Sequence, residues 1–137
     1  MIKINKKCLA ALMSVALLGV VFLFGTFFVS SLWIGNSVRE KCEVAKASYG
    51  KDCVESLMMT FEDEENSYRE RNRAVWALGQ IGDRRALEVI YKYYTGEIPE
   101  REPVNEKLSQ YEMKKAIKWM SGGFNLSALV WRNNLIK

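Results

Sequence analysis

The chain has 137 residues, 49% of them hydrophobic, with a formal net charge of +4 and a pI near 9.0. It holds three cysteines and no histidine, which excludes Ser-His-Asp and Cys-His nucleophile systems, imidazole acid–base pairs and His-ligated zinc. The length suits one small domain with an appendage.

The positive charge is concentrated at the start. Lys3, Lys6 and Lys7 precede a long apolar run, and after it the acidic and remaining basic residues nearly cancel. A near-neutral domain without a basic stripe is no electrostatic trap for phosphates, so nucleic acid is not an expected partner. Residues 9–34 carry no charge. As a helix they span about 39 Å, enough to cross a ~30 Å hydrocarbon core with some tilt. A cleaved signal peptide is the competing reading, but its apolar region typically runs only about 7–15 residues. The expected organisation is a basic N-terminal tail over 1–8, a transmembrane helix over 9–34 and a helical domain over 36–137. The leading lysines favour a cytoplasmic N-terminus, with the domain outside the cell membrane. Arg39, Lys41, Lys46 and Lys51 oppose that orientation from the other flank.

Beyond the run the apolar periodicity is helical, with no strand-like alternation. It predicts helices over about 37–48, 52–62, 67–81, 84–94, 108–121 and 126–134. Cys42 and Cys53 flank the turn at Gly50. Antiparallel helices would leave them out of register by roughly 7–8 Å, so two free, partly buried thiols are expected. The acidic residues 62–65 lack the alternating ligands and the glycine of a calcium loop and read as a solvated connection. Ser67-Tyr68-Arg69-Glu70 has the spacing of a capping box. Ala74, Ala77, Leu78 and Ile81 follow as one apolar face; Gly82-Asp83 ends that helix and caps the next. Leu87, Ile90, Tyr91 and Tyr94 form the next face, which leaves Tyr93 pointing outward. Residues 96–106 make a long, proline-stiffened connection, of a kind often functional. Asn125 matches a glycosylation sequon but is better placed as the cap of a last helix carrying Leu129 and Trp131.

The faces repeat. Val54, Leu57, Met58 and Phe61 match Leu87, Ile90, Tyr91 and Tyr94, while Met113, Ala116, Ile117 and Met120 match Ala74, Ala77, Leu78 and Ile81. A period of ~33–39 residues with two helices per unit is the signature of an α-solenoid, here of about three pairs. The stretch Arg73-Ala74-Val75-Trp76-Ala77-Leu78-Gly79-Gln80-Ile81-Gly82-Asp83-Arg84-Arg85-Ala86-Leu87 resembles a HEAT-like repeat of the phycobilisome-lyase type. Its pattern residues are Arg73, Ala74, Ala77, Leu78, Gly79, Ile81, Gly82, Asp83, Arg85, Ala86 and Leu87. The resemblance is strong over 67–95, moderate over 49–62 and faint over 108–134. It implies that Arg85 pairs with an acidic group of a neighbouring unit. It also implies that the second helices line the binding face, which places Glu55, Met59, Glu88, Lys92 and Tyr93 on a recognition patch.

The expected molecule is an all-α protein: a short HEAT-like solenoid behind one membrane span. Its expected role is that of a non-catalytic adaptor or scaffold for a protein partner, with no cofactor and no metal. Two alternatives stay open, an accessory subunit of the bilin-lyase kind and a structural subunit of a membrane complex.

Overall fold

A computed structural model of the protein describes residues 6–135; Lys3 lies outside the described residues. Helix α1 (Lys6–Tyr49) is followed by α2 (Cys53–Glu62), α3 (Tyr68–Ile81), a 3-10 turn (Arg84–Ala86) running into α4 (Leu87–Tyr91), then α5 (Gln110–Met120) and α6 (Ala128–Leu135). Among the described residues there is no strand. The fold is all-α, a short HEAT-like solenoid preceded by a long apolar helix.

The apolar run and the first domain helix, read separately in the sequence, are one helix. Nothing between Trp33 and Glu40 stops it: no proline intervenes, and Gly35 sits on the buried face instead of ending a helix. That face is a stripe of Ser31, Gly35, Val38, Cys42 and Ala45, alternating steps of four and three as a helix packed along one side requires. Residues 9–30 are exposed throughout.

Local chemistry sets the other helix ends. Asp52 accepts from the Glu55 amide at 3.0 Å. Ser67 and Glu70 form the anticipated capping box. Asp83 accepts from the Arg85 amide at 2.9 Å, and Ser109 from the Glu112 amide at 3.1 Å. Asn125 Oδ1 accepts from the Ala128 amide at 3.4 Å, the capping role expected of it. Gly82 closes α3 with φ +73°, a left-handed conformation that side chains with a Cβ resist.

Helix α3 is the centre of the packing, buried along Ala74, Val75, Ala77, Leu78 and Ile81 and pressed between α2 and α5. Gly79 permits the closest approach: a Cβ there would lie 2.8 Å from Ala116 Cα. Leu57, Phe61, Ile90, Met113, Met120 and Trp131 fill the rest of the core. The last helix does not simply extend the stack. α6 packs chiefly on α1 and also touches α3, with Ala128 and Trp131 inward.

Three side-chain expectations are corrected. Cys42 and Cys53 form a disulfide, with Cα atoms 4.9 Å apart. The antiparallel assumption fails because the connection, not α2, makes the return along α1. Gly50, with φ +67°, reverses the chain after Tyr49, and the extended Asp52 carries it on so that Cys53 lies at the level of Cys42. From there α2 ends near Tyr49, whose hydroxyl donates to Asp63 at 2.7 Å. Tyr91 is exposed, whereas Tyr93 turns inward and meets Phe61 edge-on at 4.9 Å. The 3-10 turn advances each residue by about 120° instead of about 100°, and α4 stops at Tyr91, so the phase extrapolated from a regular helix is lost. Leu129 is 64% exposed, because α6 begins at Ala128 and turns Ala128 and Trp131 to the core.

Candidate interaction surface

The second-helix face is clamped at both ends. At the starts of α2 and of the 3-10 turn, Arg85 bridges the repeats, with its Nη1 2.9 Å from Asp52 Oδ2 and its Nη2 3.0 Å from Asp83 Oδ2. At the ends, Lys92 Nζ lies 3.1 Å from Glu62 Oε1. α2 and α4 therefore run side by side in the same sense. The inter-repeat pairing that the resemblance implied for Arg85 is present.

These contacts set the electrostatics. The Glu55 amide, with Arg85 behind it, holds the Asp52 carboxyl below the usual range. The Arg85 side chain does the same for Asp83, and Arg85 is in turn pushed further up by both carboxylates. The Glu62 carboxylate raises Lys92. The acidic stretch is thus not a free cluster: Glu62 pairs with Lys92, and Asp63 caps α2 while accepting from Tyr49 and from the Glu65 amide.

Between the clamps, Met59 and Glu88 are exposed and Glu55 is half-buried. Lys92 stands at the edge, committed to Glu62. Tyr93 does not belong to the patch: it packs on Phe61 beside Arg71, whose guanidinium lies 5.8 Å from the Tyr93 ring centroid. Arg71 itself donates to the Phe61 carbonyl at 2.8 Å. Exposed on this side of the domain are Met59, Glu88, Lys92 and Tyr91, with Glu55 half-buried.

Two residues that sequence reasoning passed over hold the long connection. Asn72, buried in α3, donates to the Val104 and Lys107 carbonyls at 2.8 and 2.9 Å and accepts from the Ser109 amide at 2.8 Å. Glu102 accepts from the Ser109 hydroxyl and, at 2.8 Å, from the Gln110 amide, completing the cap of α5. Asn72 carried no readable signal, because it lies opposite the Ala74–Ala77–Leu78–Ile81 face, on the Val75–Gly79 side that only the tertiary fold buries against α5. Glu102 carried none, since its partner lies across a loop. Beside the connection is an open cleft of about 610 Å³, lined by Tyr68, Thr95, Ile98, Pro99, Glu102 and Leu108.

The PBS lyase HEAT-like repeat family model matches residues 70–94, a segment that covers α3, its Gly82-Asp83 corner and α4. No curated protein and no solved structure matches the chain.

Proposed function

We propose that the protein is a membrane-tethered, non-catalytic binding module, its solenoid held at a membrane surface by the N-terminal part of α1 and presenting the α2–α4 face to a protein partner. The observation that carries this reading is the division of α1. Residues 9–30 are uncharged and uncovered, while the same helix from Ser31 onward is part of the domain core. An exposed rod of about 33 Å is long enough to cross a bilayer. Cleavage at the end of the apolar run would cut into the buried stripe that supports the domain, which favours a retained anchor over a signal peptide. The leading lysines favour a cytoplasmic N-terminus. The Cys42–Cys53 disulfide fits the same orientation, because such bonds persist where the domain meets an oxidising compartment. A sequence without histidine, built around a structural repeat, supports binding rather than catalysis.

Tethering confines the module to the membrane and raises its effective concentration towards partners there. Crosslinking followed by affinity capture of the full chain tests the reading. A defined partner, retained by the native protein and lost from a Glu55→Arg, Glu88→Arg double variant that still folds, is the expected result. Capture of nothing above background would sink it.

A further inference from the structure

We infer that the solenoid makes a second contact with the bilayer, through the 124–129 segment at the start of α6, which sets the tilt of the domain on the membrane. This rests on the reading of residues 9–30 as a span.

Position comes first. Helix α1 is touched by α2, α3 and α6. The α2 contact lies in its last turns, through Cys42–Cys53 and Tyr49–Asp63. The α3 side lies alongside Lys41, Val44 and Ser48, which share a groove with Arg73 and Ala74. Helix α3 runs back along α1, with Glu70 close to Tyr49 and Arg73 close to Glu40, so its far end at Gln80 points towards the Ser31 end of the stripe. Asn125 donates to Gln80 Oε1 at 3.0 Å and α6 packs chiefly on α1, which brings the 124–129 segment to the end of α1 where the uncovered apolar run stops and where Trp33 is 71% exposed. A tryptophan at the end of a span commonly marks the headgroup level.

The second observation is what this corner exposes. Phe124, Leu126 and Leu129 are 73%, 52% and 64% exposed. Exposed apolar residues elsewhere on the domain, such as Val44, Met59 and Val104, are scattered singly, as on ordinary surfaces, and Ile98 lies in the cleft beside the long connection. Three within six residues, adjoining an apolar helix already uncovered, extend one continuous surface. The occupant that covers residues 9–30 reaches this corner without a new partner: lipid. Side chains of this kind bury about 5–10 Å into the headgroup boundary, which suits a loop and a short helix lying against the interface. Trp131 has the residue type for lipid contact, but its burial excludes it; the contact passes to its exposed neighbours.

The test uses the full chain in vesicles of three parts phosphatidylcholine to one part phosphatidylglycerol. Cys8→Ser removes the free thiol, and single cysteines are then placed by Phe124→Cys, Phe22→Cys or Met59→Cys and labelled with an environment-sensitive fluorophore. All three positions are exposed, so the fold tolerates the label. Expected is blue-shifted emission at 124, quenched more by lipid carrying a nitroxide near the headgroup than by one deep in the chain. Position 22 is quenched by the deep nitroxide, and position 59 stays aqueous. If 124 behaves like 59 while 22 is quenched, the span stands and the second contact is overturned. A blue shift at 124 without lipid quenching overturns it too, because protein, such as a second copy of the chain, then covers the corner. Loss of quenching at both 22 and 124 refutes the span reading and this inference with it.

Discussion

Helix α1 is one element with two kinds of surface. Over residues 9–30 every position is exposed and uncharged, and the large apolar side chains show no preference for a face. From Ser31 a narrow stripe of small and medium residues is buried, and most outer positions beyond Gly35 are polar or charged. A helix that is apolar all round asks for an apolar surround; one with a stripe asks for a protein partner along that side. The change occurs inside the charge-free stretch, at Ser31, three residues before Ile34. Composition alone places the boundary at the end of the apolar run, but packing places it where the solenoid begins. No loop interrupts that boundary, and the apolar half runs into the first repeat as one continuous helix.

The widest separation of the two halves comes from matched substitutions. Val38 is 1% exposed and Val21 is 61% exposed. Val38→Asp leaves an uncompensated carboxylate in the core and is expected to cost about 3–5 kcal/mol, enough to unfold the domain in a urea titration followed by tryptophan fluorescence. Val21→Asp should leave that transition where it was and instead weaken membrane retention, by about 2.5–3.5 kcal/mol at the centre of a span. Equal unfolding by both variants would abolish the distinction between the halves.

A smaller effect is expected at the closest approach within the covered part. Gly79→Ala places a methyl group 2.8 Å from Ala116 Cα, a backbone atom that cannot swing aside. The expected loss is about 1–3 kcal/mol, the usual range for overpacking. Gly25→Ala, with nothing within 4 Å of its added Cβ, should be silent in the same unfolding assay.

The sequence disclosed what is local and missed what depends on phase or return paths. The capping box at Ser67, the caps at Asp83 and Asn125 and the Ala74–Ala77–Leu78–Ile81 face all rest on spacings within one or two turns, and all are present. The candidate patch was legible only in part. Glu55, Met59 and Glu88 lie inside α2 and α4 and keep their helical phase, while Tyr93 lost its place because α4 ends at Tyr91, two residues before it. The disulfide escaped because the pairing depends on how the connection turns at Gly50 and returns along α1, not on how many residues it has. The continuity of α1 escaped because Gly35-Asn36 has the composition of a helix end, whereas the helix runs through both and buries Gly35 on its packed face.

The smallest expected effect concerns charge, and it too divides the halves, since residues 9–30 hold no acidic or basic side chain. Folding depresses the carboxyls of Asp52 and Asp83. A group with a lowered folded value contributes stability above its ordinary value, about 3.9 for aspartate, and loses it as pH falls through the depressed value. Arg85 supplies the leading cause for Asp83 and the second for Asp52, whose first cause, the Glu55 amide, survives without it. Its guanidinium side chain is 55% exposed, so solvent screening limits the Arg85→Ala penalty at pH 7 to about 0–1 kcal/mol. That penalty should shrink as pH falls below the ordinary aspartate value of about 3.9, because the protonated aspartates no longer reward the pairing. Urea midpoints of the native protein and the variant at pH 7 and pH 3 check this. A gap that stays constant with pH would mean that Arg85 joins the repeats through the packing of its stem and not through its charge. The clamp on the α2–α4 face would then be insensitive to the electrostatics that Glu88→Arg is meant to perturb.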